Sequence, residues 1–141
     1  MSDFRLVYPM LAMVLLTVVV LIALFRSRVR AIREGHATVS YFRVFQGSPE
    51  PEYAAKASRH FANLFEAPTL FYVGCLAAMI VGVRSPAVLW LAWAYVALRV
   101  VHAVIHLGGN RVRHRLRAYA ASWLVLLAIW GYVAYAVARQ S

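Results

Sequence analysis

Four apolar runs, separated by basic and polar stretches, dominate the chain. Leu6–Phe25, Ala67–Val83 and Ala118–Ala138 contain no charged residue, and Ala87–Leu107 is interrupted by one, Arg99. A helix rising about 1.5 Å per residue needs roughly 20 apolar residues to cross a hydrocarbon core about 30 Å thick. Lipid offers no partner to unpaired backbone groups, so a lone strand cannot cross where a helix can. The pattern predicts an all-α integral membrane four-helix bundle. It fills a single transmembrane domain over residues 1–141, with helices at about 6–26, 52–83, 87–107 and 117–138. A cleaved leader is a poor reading of the first run. That run exceeds the usual h-region of about 7–15 residues, and RSRVRAIR follows where small residues should mark a cleavage site.

The connections sharpen this picture. The first loop is long, about Arg26 to Ser58, and its basic start can carry helix 1 on for a turn or two. In QGSPEPEY, Gly47, Pro49 and Pro51 predict a turn before helix 2. Glu50 and Glu52 then fall at the start of that helix, where negative charge suits the dipole. Pro68 lies inside helix 2 and predicts a kink that neighbouring helices can accommodate. Arg84-Ser85-Pro86 allows only a tight hairpin, which makes helices 2 and 3 antiparallel neighbours. Trp90 and Trp93 toward one membrane face, and Tyr119 and Trp123 toward the other, fit aromatic belts.

Hydrophobic residues make up 63% of the chain, in keeping with four spans, but the net charge of +10 raises the question of nucleic acid. The distribution of charge answers it. Arg26, Arg28, Arg30, Arg33, Arg43, Lys56 and Arg59 lie between helices 1 and 2, and Arg111, Arg113, Arg115 and Arg117 between helices 3 and 4. Only Arg5, Arg84 and Arg139 fall on the other side. Basic loops stay inside, so loops 1 and 3 are expected to be cytoplasmic and both termini external. Orientation and attraction to anionic lipid account for the charge, with no nucleic-acid partner. The one cysteine, Cys75, excludes an intrachain disulfide and reads as a buried packing residue.

The polar residues inside the spans carry the chemistry. With helix 2 entering the membrane near Arg59 and helix 3 leaving it near Leu107, Glu66 and Arg99 lie roughly 10 and 12 Å deep. On their helices Arg59, Asn63 and Glu66 share one face, and Arg99, His102 and His106 share another. Two polar stripes at matched depth predict a cleft open to the cytoplasm, because buried ionisable groups face a partner or a watery cavity. A purely structural alternative is a Glu66–Arg99 ion pair with Asn63 as helix glue. His102 and His106, at i and i+4, could ligate a metal joined by Glu66 or His60. The sequence supplies no obvious third ligand, so no metal is expected.

The run RHFANLFEAP at 59–68 resembles the Arg-x-x-x-Asn-x-x-Glu signature, closed by proline, of the MAPEG proteins, the membrane-associated proteins in eicosanoid and glutathione metabolism. Four spans, a long basic first loop and the length are similar too. The resemblance implies a homotrimer of four-helix bundles, with glutathione held between subunits near the cytoplasmic half of the membrane. It implies glutathione-binding roles for Arg59, Asn63 and Glu66. Arg99-x-x-His102-x-x-x-His106 is similar to a third-helix pattern of Arg-x-x-Tyr-x-x-x-Tyr, with both tyrosines replaced, and these three are implied to join the site. Arg113 is the best match to the thiol-activating arginine of the family, and Arg115 the second. Phe61 departs from the pattern, standing where the glutathione enzymes usually carry Gln or His.

Two functions follow as expectations. One is a glutathione-dependent transferase or peroxidase that adds thiolate to hydrophobic electrophiles in the cell (inner) membrane, with glutathione as co-substrate. The other is a non-enzymatic protein of the same fold that binds lipid or a membrane-protein partner.

Overall fold

The structure, a computed structural model, describes residues 4–45, 50–109 and 111–140. Regular structure among these residues is all helical. A 3-10 turn at Phe4–Leu6 leads into α1 (Val7–Arg33), followed by α2 (Val39–Val44), α3 (Glu52–Asn63), α4 (Ala67–Val81), α5 (Pro86–Leu107) and α6 (Val112–Ala138). Four stretches are long and apolar enough to span a membrane: Phe4–Arg33, Glu52–Val81, Pro86–Leu107 and Val112–Ala138. The chain is an integral membrane protein. The predicted turn at Gly47 and Pro49 lies outside the described residues.

Two departures from the expected helices have physical causes. Helix α6 starts at Val112, before the expected 117, and α1 runs on to Arg33 as the basic start of the first loop allowed, because arginine is a good helix former and needs no lipid. The second span is broken rather than kinked. Pro68 has no N–H for the carbonyl of Leu64, and α3 ends at Asn63, one turn before α4 begins. The end of α3 tightens to i→i+3 bonds, Leu64 N to Phe61 O at 3.1 Å and Phe65 N to Ala62 O at 3.0 Å. Helix α4 stops at Gly82, whose φ of +75° suits a residue without Cβ. Ser85 caps α5 by accepting from the N–H of Ala87 at 3.3 Å, and Pro86 takes the first helical position.

The core runs the length of the bundle: Met13 and Val20 from α1, Phe71, Cys75 and Ala78 from α4, Ala92 and Tyr95 from α5, and Leu126 and Ile129 from α6. Phe71 and Tyr95 stack with centroids 4.4 Å apart. A satellite cluster of Ala31, Ala37 and Ala54, flanked by Tyr41, Phe42 and Tyr53, packs the first loop onto the basic end of α1. Glu34 ties it down, accepting from Arg30 at 2.7 Å and from the Tyr53 hydroxyl at 2.8 Å. The outer faces are apolar, with Leu15, Val18 and Ile22 on α1 and Leu124 and Leu127 on α6 exposed. In water such a surface would aggregate; against lipid chains it is solvated.

Helices α4 and α6 approach closely at Gly74. A Cβ there would sit 3.2 Å from the indole nitrogen of Trp130, which donates to the carbonyl of Leu70 at 3.3 Å. Gly74→Leu is therefore expected to destabilise the detergent-solubilised protein by about 1–3 kcal/mol through overpacking. Thermal unfolding checks this, and an unchanged midpoint would show that the two helices have room to part.

Candidate functional site

The break in the second span builds the site. In a continuous helix the carbonyl of Asn63 would accept from the N–H of Ala67 and that of Phe65 from Thr69. Here the Thr69 hydroxyl takes the Phe65 carbonyl at 2.7 Å, and Arg99 Nη2 donates to the Asn63 carbonyl at 3.2 Å. Arg99 reaches across from α5 to satisfy a backbone group that the break leaves open. It is fully buried, and its guanidinium lies 5.7 Å from the ring centre of Tyr119. The Glu66–Arg99 ion pair of the structural alternative does not form. Glu66 sits in the break with non-helical backbone (φ −91°, ψ −97°) and is exposed. Leaving the helix rotates Glu66 away from the α5 face on which a regular helix would have placed it.

In front of Arg99 lies a cleft of about 490 Å³, lined by Arg59, Ala62 and Asn63 of α3, Glu66, His102 and His106 of α5, and Val112, Arg115, Leu116 and Tyr119 of α6. The size is that of small-ligand sites. Of the residues expected from the sequence, Arg59, Asn63, Glu66, His102, His106 and Arg115 line it together. The Asn63 amide is held by its own helix, donating to the Arg59 carbonyl at 3.4 Å. Arg99 stands behind the wall and supports it. Arg113 does not line the cleft and is exposed. Arg113 and Arg115 are about 200° apart around α6, so one cleft cannot take both.

Two residues were not anticipated in their observed places. Tyr119, expected in an aromatic belt, lines the cleft, with its ring centre 5.7 Å from that of His102. Its position four residues after Arg115 is the signal that puts both on one face of α6. His60 is fully buried behind His102 and His106, with ring centres 5.4 and 4.9 Å away. Among the described residues no group of three His, Cys, Asp or Glu side chains is arranged to hold a metal ion.

The arrangement suits a zwitterionic, net anionic ligand. Arg59 and Arg115 offer planar forks to carboxylates or a thiolate. Glu66 offers a carboxylate to an ammonium, and His102, His106 and Tyr119 offer adjustable hydrogen bonds. Val112 and Leu116 make the outer lip apolar.

Compared with known protein families, the chain matches the model of the MAPEG family over residues 6–135. No curated protein and no solved structure matches it.

Proposed function

This chain belongs to the MAPEG family, and from that premise we propose that it is a glutathione-dependent membrane transferase or peroxidase. It adds the glutathione thiolate to hydrophobic electrophiles that arrive through the bilayer. The observation that carries the reading is the gathering of Arg59, Asn63, Glu66 and Arg115 around one cleft of ligand size. Glutathione has two carboxylates, one ammonium and one thiol, and the cleft offers a cation to a carboxylate, a carboxylate to the ammonium and a cation to the thiol. Arg59 takes a carboxylate, Glu66 the ammonium, and Arg115 lies where a cation would lower the thiol from its free value of about 8.5 toward thiolate. Asn63, His102, His106 and Tyr119 orient the peptide, with Arg99 fixing the wall.

The protein works as a homotrimer with the cleft closed by a neighbouring subunit, and its basic loops face the cytoplasm of the cell (inner) membrane. The apolar lip at Val112 and Leu116 is where a lipid-soluble substrate meets the thiolate. Incubated with glutathione and a chromogenic aryl chloride, the purified protein is expected to form conjugate faster than the uncatalysed reaction. A rate equal to the uncatalysed one would remove the transferase reading.

One observation favours a second reading, a non-enzymatic member that binds lipid or a membrane-protein partner. Phe61 packs on Phe65 with ring centres 5.0 Å apart and joins the core, so this position offers the cleft no polar group.

A further inference from the structure

His60, His102 and His106 form a cluster whose nitrogens tell more than their positions. Both ring nitrogens of His60, Nδ1 of His102 and Nδ1 of His106 are buried, and none has a hydrogen-bond partner among the described residues. The Nε2 atoms of His102 and His106 are not in this buried, unpartnered set, and both residues line the cleft. Four unsatisfied nitrogens on three rings is the number that a chain of three imidazoles uses up: two in the central ring and one in each outer ring. His60 is central, with its ring centre 5.4 Å from His102 and 4.9 Å from His106, against 5.7 Å between the outer two. Two imidazoles joined by one N–H···N bond of about 3.0 Å have centres roughly 5 Å apart, which is the spacing of His60 from each neighbour. Leaving four buried polar atoms unpaired is expensive, which drives the rings to close them.

We propose that His102, His60 and His106 form a neutral, directional hydrogen-bond chain that carries a proton from one side of the cleft to the other. A neutral imidazole has one N–H and one bare nitrogen. If His102 Nδ1–H donates to His60, the N–H of His60 must be on its other nitrogen and donates to Nδ1 of His106. His102 then shows a bare Nε2 to the cleft and His106 shows an Nε2–H. Two histidines at i and i+4 are thus made chemically opposite, one a base and the other an acid.

Resting on the glutathione reading, this gives a balanced step for an electrophile that opens onto oxygen, such as an epoxide. The glutathione sulfur, already thiolate beside Arg115, forms the S–C bond as the C–O bond breaks. The Nε2 proton of His106 goes to the departing oxygen as the His60 proton moves to His106 Nδ1 and the His102 Nδ1 proton moves to His60, while His102 Nε2 takes from water the proton that thiolate formation released. All three rings end neutral with the chain reversed, and the next cycle runs from the other end or after re-equilibration with water. No ring ever holds an extra proton beside Arg99, whose guanidinium shares the Tyr119 ring with His102.

Two measurements test the chain. In glutathione-free protein carrying 15N-labelled histidine, NMR should show 15N–15N coupling across hydrogen bonds from His60 to both neighbours, lost in His60→Phe. Absence of that coupling overturns the chain whatever the protein does with glutathione. In turnover, His60→Phe should lower kcat for styrene oxide roughly 10²-fold. It should change turnover of 1-chloro-2,4-dinitrobenzene, whose chloride leaves without a proton, by no more than about twofold. Equal losses on both substrates would make His60 a packing residue and overturn the shuttle. A wild type inactive on both would count against the glutathione reading, while the coupling still decides the chain.

Discussion

Arg115→Ala is expected to lower kcat for glutathione conjugation about 10²–10³-fold, whereas Arg113→Ala should leave it within about threefold. The difference rests on geometry. Both arginines lie in the same basic run, but Arg115 lines the cleft and Arg113 does not. A cation beside the sulfur acts on a charge that is fully developed in the thiolate and absent in the thiol. Its loss therefore falls on the reacting state rather than on binding. Removing one preorganised donor of this kind costs about 2.7–4 kcal/mol, which is the stated range in rate. Glutathione affinity should change much less, since Arg59 and Glu66 remain. The check is kcat and KM for both variants, with the ultraviolet absorbance of the thiolate as a direct readout. Unchanged turnover in Arg115→Ala, or equal loss in both variants, would sink the assignment.

Replacing Arg99 gives the largest expected effect on stability. Arg99→Ala should destabilise the solubilised protein by about 3 kcal/mol, from the cavity left by a fully buried side chain and the uncapped carbonyl of Asn63. Arg99→Met separates volume from charge. Methionine refills the space and loses the same hydrogen bond, yet it also removes the buried Nε and Nη1, which have no partner among the described residues. Relief of those two groups offsets the lost bond, so Arg99→Met should recover to within about 1 kcal/mol of wild type. Thermal unfolding of the three proteins in one detergent decides. A methionine variant as unstable as the alanine one would mean that the guanidinium itself holds the break together. Recovery with methionine would mean that arginine is kept there for the site.

Much of this architecture was legible in the sequence because a bilayer imposes simple demands. Uncharged runs of spanning length have no other stable use than helices, but the short Arg84-Ser85-Pro86 link did not decide the packing partner: α4 packs chiefly on α6 and meets α5 where Phe71 stacks on Tyr95, while α3 lies along α5. The site was legible in part. Arg59, Asn63, His102 and His106 could be grouped by helical spacing, and the resemblance supplied their chemistry. The break at Leu64–Glu66 was not. Pro68 signals trouble in a helix, but whether a chain kinks or breaks depends on who satisfies the freed carbonyls, and here that is Arg99 from another helix. The same event keeps Glu66 in the cleft and rules out the alternative ion pair with Arg99. Tyr119 and His60 escaped for a related reason. Residues of those types are equally at home in an interfacial belt or a core, and only the packing of α3, α5 and α6 tells which.

The central claim is that the cleft binds glutathione and holds its sulfur as thiolate. It is tested most directly by titrating glutathione into the detergent-solubilised protein, following heat and thiolate absorbance together. The account predicts saturable binding with a thiolate signal that disappears in Arg115→Ala while the heat remains. No saturable binding at millimolar glutathione would contradict it, leaving a membrane bundle whose cleft serves a lipid or a partner protein instead.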